Sequence, residues 1–125
     1  MVQTDISQLQ AECSEWRQVL RNYRNEFTQS QKDLQSLCKT QLSKDQLLAV
    51  EHISNQFHIQ LINIHDLKKE IKLHTLELES QDKEAIAEEP VNRHEALYDQ
   101  FSRMEMMLLD LRTEFQQFSQ QAAVS

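Results

Sequence analysis

Five histidines and two cysteines are the residues of this sequence that could bind a metal ion or perform nucleophilic catalysis. His74 and His94 have the most favourable placement, because both fall at apolar-repeat positions near one predicted turn, with Glu70 and Glu77 close by. Imidazole and carboxylate groups are common zinc ligands. The Glu-x-x-His pairs of di-iron bundles are absent, however, and most buried histidines only accept or donate a hydrogen bond. We therefore expect no cofactor, and keep His74 and His94 as the weak metal candidates.

The remaining titratable groups give less support to a metal site. Glu51, His58 and His65 follow one another at intervals of seven residues and share one side of a helix. Successive members are about 10 Å apart along the axis, which is too far for them to bind one ion.

The two cysteines argue against catalysis and for a reducing compartment. Cys13 and Cys38 lie on one predicted helix, about 37 Å apart, so they cannot form a disulfide within the chain. Cys13 falls at a core position, where a thiol is inert, and Cys38 has no companion histidine. Together with an N-terminus that lacks the pattern of a signal peptide, this predicts a cytoplasmic protein that is not an enzyme.

Composition excludes several further classes of function. The 125 residues include no glycine, so phosphate-binding loops, the G-x-S-x-G turn and an EF-hand loop are all ruled out. The 13 basic and 20 acidic residues give a net charge of −7, which disfavours nucleic acid as a partner. No apolar run is long enough to span a membrane. The composition is that of a helical protein with few turns.

Apolar residues recur at alternating steps of three and four along most of the chain, which predicts coiled-coil helices at about 5–40, 44–81 and 90–121. Ser43 and Gln46 have the spacing of a capping box, and Pro90 suits the first turn of a helix. The repeat positions, which we call the seam, are Val2, Ile6, Leu9, Cys13, Trp16, Leu20, Tyr23, Phe27, Ser30, Leu34 and Leu37, then Leu47, Val50, Ile53, Phe57, Gln60 with Leu61, Ile64, Leu67, Ile71, His74 and Leu78, then His94, Leu97, Phe101, Met104, Leu108, Leu111, Phe115, Phe118 and Ala122.

These elements predict one all-α domain over residues 1–125, an elongated antiparallel three-helix bundle of the coiled-coil type. Turns near residues 42 and 86 set which seam residues share a layer. One expected layer contains Phe27, Phe57 and Phe115. Others place Cys13 with Ile71 and Phe101, Trp16 with Leu67 and Met104, His74 with Leu9 and Leu97, and His94 with Ile6 and Leu78.

The second helix carries additional apolar residues on the side opposite its seam. The central part of this surface, which we call the α2 stripe, consists of Ile59, Ile62, Asp66, Lys69, Leu73 and Leu76. In an antiparallel pair of such helices, Ile59 meets Leu76, Ile62 meets Leu73 and Asp66 meets Lys69, as a twofold interface requires. The stripe therefore predicts a homodimer. The alternative is that the third helix bends over it and covers it with Met106, Met107 and Leu109.

The segment from Glu51 to Gln60, EHISNQFHIQ, resembles a segment of small predicted coiled-coil proteins of bacteria whose function is unknown. The resemblance is strongest along the second helix and implies no activity or site. In architecture alone, three helices with Trp16 in the first seam are similar to a spectrin-type repeat, and such a similarity does not transfer function.

The expected function is therefore a non-catalytic protein–protein interaction or structural module that associates with itself through the second helix. Another helical protein is a possible further partner, whereas nucleic acid and membranes are not expected partners. The alternative is a bundle that binds a metal or small ligand with the histidines near residues 82–90.

Overall fold

A computed structural model describes residues 5–82 and 85–124. This part of the chain forms three helices, α1 (Ile6–Leu37), α2 (Lys44–Glu79) and α3 (Glu88–Val124), which pack against one another as a three-helix bundle. The described residues form no strand, only an isolated bridge between Asp82 and Ala85. None of these helices is long and apolar enough to cross a bilayer.

Side chains rather than glycine define the helix boundaries. The predicted capping box at the start of α2 is confirmed: the Gln46 amide N–H donates to Ser43 Oγ at 3.1 Å, and the Ser43 amide N–H donates to Gln46 Oε1 at 2.8 Å. At the start of α1, Asp5 accepts from the Ser7 amide at 2.9 Å. No described residue has a positive φ, so the turn between α1 and α2 is made without the conformation that favours glycine.

The seam forms the core. Its most enclosed side chains include Leu20, Phe27, Phe57, Ile64 and Leu108. The predicted aromatic layer is confirmed, since the Phe57 ring lies 5.0 Å from the Phe27 ring and 5.3 Å from the Phe115 ring, centroid to centroid. Such tilted and edge-on contacts are favourable geometries for aromatic pairs. One aromatic side chain from each helix therefore fixes the relative position of the helices at this level.

One detail of the predicted α2 seam is wrong. Leu47 is 48% exposed, and so lies outside the core. The first buried residues of α2 are Val50, Ile53 and Phe57. The next buried residue is Gln60, and its neighbour Leu61 is half-buried. The Gln60 amide oxygen accepts a hydrogen bond from the Asn63 amide at 3.4 Å, which offsets part of the cost of burying a polar group. Val2 lies outside the described residues.

The predicted layers near the second turn are also wrong. Cys13, expected beside Phe101, has its sulfur 3.8 Å from His94 Nδ1 instead. The Trp16 ring stacks on Phe101 at 5.9 Å, one seam position before the expected Met104. The physical reason is that a heptad repeat fixes which face of a helix is buried but not its height. A slide of three or four residues brings another seam residue to the same level.

A charged contact joins α1 directly to α3. Arg112 donates from Nε and Nη2 to the two carboxylate oxygens of Glu26, at 2.7 and 2.6 Å, and its guanidinium carbon lies 4.9 Å from the centre of the Tyr23 ring. The hydrogen bond to Glu26 raises the pKa of Arg112, and burial raises the pKa of Tyr23. A fork of two parallel bonds is specific in direction, so it holds these helices at one relative height.

Replacing Phe57 by alanine should remove the centre of the aromatic layer. We expect Phe57→Ala to lower the free energy of unfolding by about 3 to 5 kcal/mol, the usual cost of emptying a buried phenylalanine site. Leu47→Ala is the matched control, because Leu47 is half-exposed on the same helix and should change stability by about 0.5 kcal/mol or less. Urea unfolding followed by circular dichroism measures both, and equal effects would contradict the assigned core.

Candidate functional site

The first candidate site is a cluster inside the bundle to which each helix contributes one residue. Cys13 of α1, His74 of α2 and His94 of α3, which we call the buried triad, place one potential ligand atom each within 4.8 Å of the others. His74 Nε2 lies 3.0 Å from His94 Nδ1, and Cys13 Sγ lies 3.8 Å from the same nitrogen. All three side chains are buried, with exposures of 0%, 2% and 5%.

Two carboxylates occupy the outer sides of the histidine rings. Glu77 Oε1 lies 3.0 Å from His74 Nδ1, and Glu12 Oε1 lies 3.1 Å from His94 Nε2. Arg93 donates to the other oxygen of Glu77 at 2.7 Å and so fixes that carboxylate. Each ring therefore turns one nitrogen outward to a carboxylate and the other inward to the triad.

Burial changes the acid–base properties of the triad. It lowers the pKa of His74 and favours the neutral ring, against the opposing effect of the hydrogen bond to Glu77. It also raises the pKa of Cys13, which keeps the sulfur as a thiol, against a smaller opposing effect from Thr75. The Trp16 ring packs against the His94 side of the triad, with 4.7 Å between the two ring centres.

The structure brings together the two histidines singled out from the sequence and adds a third group. His74 and His94 are in direct contact, with Glu77 beside them as expected. Cys13 was not expected there, because the sequence pattern assigned it to a different layer. The sequence did contain a signal for this cluster, because Cys13, His74 and His94 are the seam residues whose side chains commonly bind metal ions. The histidines at 52, 58 and 65 are exposed on α2 and are not part of the cluster.

The second candidate site is the outer face of α2. All six residues of the α2 stripe are exposed, and its four aliphatic side chains have 45 to 57% of their surface open. Met106, Met107 and Leu109 of α3 are themselves 42 to 67% exposed. In the described part of the chain, α3 therefore does not bury the stripe as the alternative interpretation of the sequence required.

A shallow groove lies between α2 and α3. It is bordered by Leu67 and Glu70 of α2 and by Gln100 and Met104 of α3. Its floor is made by seam residues, and its rim is polar. The residues that line this groove include no nucleophile beside a general base, so the groove does not support a catalytic role.

Comparison with known proteins adds no functional assignment. No family model, curated protein or solved structure matches this sequence. Any function must therefore be argued from the geometry of the two sites.

The two thiols should differ sharply in reactivity. We expect a disulfide reagent such as Ellman's reagent to modify Cys38 rapidly in the native protein, because it is exposed after the end of α1, and to modify Cys13 only after unfolding. Cys38→Ser should remove the fast phase and leave the slow one. The assay is done with chelator present. Rapid modification of Cys13 in folded protein would contradict its placement.

Proposed function

We propose that this protein is a non-catalytic interaction module, an elongated antiparallel three-helix bundle that forms a homodimer through the α2 stripe. The observation that carries the proposal is the stripe itself: four half-exposed aliphatic side chains arranged symmetrically about one acidic and one basic residue. A helix that is apolar on two faces is usually buried on both. The bundle core buries one face of α2, and a partner would bury the other.

Contacts between the helices support the antiparallel arrangement. Glu12 and Glu26 of α1 pair with His94 and Arg112 of α3, so residue numbers rise together along these two helices. Along α2 the order is reversed, because Phe57 lies at the level of Phe27 whereas His74 lies at the level of Cys13. A bundle of helices with 32 to 37 residues each is elongated, since the rise is about 1.5 Å per residue.

The spacing of the stripe residues supports a second copy of the chain as the partner. Every proposed pair is symmetric about the midpoint between Leu67 and Lys68, so a second copy laid antiparallel offers each residue its complement. Ile59 then packs on Leu76 and Ile62 on Leu73, while Asp66 faces Lys69 twice. Apolar contacts of this kind supply affinity, and the paired charges set the register and orientation. A second copy of the chain is the occupant for which both features match.

Breaking the apolar centre should separate the dimer. We expect the wild-type protein to sediment as a dimer at micromolar concentration, and Ile62→Glu to sediment as a monomer, because the substitution would bury a carboxylate against Leu73 of the partner subunit. Tyr98→Glu is the matched control: Tyr98 is as exposed as the stripe residues but lies on α3, and its replacement should leave the dimer intact. A wild-type protein that sediments as a monomer would overturn the proposal. The same holds for a wild-type protein that binds a different helical protein but does not associate with itself.

A charge exchange tests the register. Asp66→Lys and Lys69→Asp should each weaken self-association at low salt, because like charges then face each other. Mixing the two single variants should restore a dimer, since each substituted side chain of one chain would then face a charge of opposite sign on the other. Sedimentation of the separate and mixed variants measures this. Equal association of the mixture and of each variant alone would exclude the antiparallel register about Leu67 and Lys68.

A further inference from the structure

We propose that the buried triad of Cys13, His74 and His94 is a zinc site, in which one ion joins the three helices near the second turn. The site is separate from the α2 stripe, because its ligands lie in the core and the stripe lies on the outer face of α2. The zinc proposal and the dimer proposal can therefore fail independently.

The distances fit one zinc ion. Tetrahedral zinc with bonds of about 2.0 Å to nitrogen and 2.3 Å to sulfur separates two nitrogens by about 3.3 Å and a nitrogen from a sulfur by about 3.5 Å. The corresponding distances in the triad are 3.0 Å between His74 Nε2 and His94 Nδ1 and 3.8 Å between Cys13 Sγ and His94 Nδ1. The ligand atoms of Cys13 and His74 form the third pair and lie within 4.8 Å of each other, so zinc binding would draw the sulfur up to about 1 Å closer to His74.

The carboxylates orient both rings for a cation. In the tautomers that donate to the carboxylates, His74 carries its proton on Nδ1 toward Glu77 and His94 carries its proton on Nε2 toward Glu12. In these tautomers the lone pairs of His74 Nε2 and His94 Nδ1 face each other across 3.0 Å. This arrangement is unfavourable without a positive charge between the rings. Histidine ligands of zinc are characteristically held by such outer carboxylates.

Cys13 distinguishes a metal from a single shared proton. A proton between the two rings would need no sulfur, whereas the Cys13 sulfur converges on the same point. Zinc binding would displace the thiol proton of Cys13 to solvent, and the resulting thiolate would balance part of the charge of the ion, with Glu12 and Glu77 beside the histidines. One sulfur with two imidazoles is a borderline-soft ligand set, which suits zinc and excludes magnesium and calcium. Three protein ligands leave the fourth position for water.

Glu12 connects the triad to the protein surface. Glu12, the residue that holds His94, also lines a surface groove between α1 and α3 together with Trp16, Tyr98 and Phe101. The Trp16 ring separates this groove from His94, on which it packs. The Glu12 carboxylate is 35% exposed and contacts His94, so it could pass a hydrated cation from the groove to the histidine.

The test is a zinc titration of the full chain after removal of metal by chelator under reducing conditions, with isothermal calorimetry and metal analysis as readouts. We expect one zinc ion per chain and a higher melting temperature with zinc than with chelator. Cys13→Ser and His94→Gln should lower the affinity by at least about 100-fold, and Glu77→Gln, which changes only an outer carboxylate, by about 10- to 100-fold.

Matched controls separate the triad from adventitious binding. His58→Gln and Cys38→Ser alter an exposed histidine and an exposed thiol, and should leave the zinc affinity unchanged. If a triad variant does not fold, the absorption spectrum of the wild-type protein with Co²⁺ still tests whether a cysteine binds the ion. A cobalt–thiolate bond gives an intense charge-transfer band in the near ultraviolet. Absence of stoichiometric zinc binding, absence of that band, binding that survives Cys13→Ser, or binding of copper(I) without zinc would each overturn the proposal.

Discussion

Burial of one apolar seam from each of three helices is the constraint on which the other features of this protein depend. The seam decides which face of every helix points inward. Where the seam carries aromatic side chains, as at Phe27, Phe57 and Phe115, it fixes the levels at which the helices meet. Where it carries Cys13, His74 and His94, the same burial gathers three polar side chains into an apolar core.

The polar part of the seam explains why the second-turn end differs from the remainder of the bundle. Buried polar groups must be hydrogen-bonded, and each histidine obtains a carboxylate from its surroundings. Glu12 and Glu77 are in turn partly exposed, so they connect the core to the surface. This end of the bundle consequently has directional contacts in place of the interchangeable packing of aliphatic side chains.

Much of the fold could be predicted from the sequence because helical periodicity and capping are local properties. The capping box of Ser43 and Gln46, the aromatic layer and the exposed outer face of α2 all follow from spacing along one helix or from turns of short length. The contact of Cys13 with His94 could not be predicted in this way. It depends on how far α3 slides along α1, and neighbouring seam positions compete for the same level with similar burial. The choice of Gln60 over Leu61 likewise depends on three-dimensional packing.

The connectivity of the bundle also has a consequence for how the chain folds. α1 and α2 are joined by a short turn, as are α2 and α3, so most contacts form between segments close in sequence, and chains of this topology fold in microseconds to milliseconds. Contacts between α1 and α3 are different, because Glu26 and Arg112 are separated by 86 residues. The entropic cost of closing that long loop falls on the docking of α3 against α1, and we expect this docking to be a late step in the assembly of the monomer.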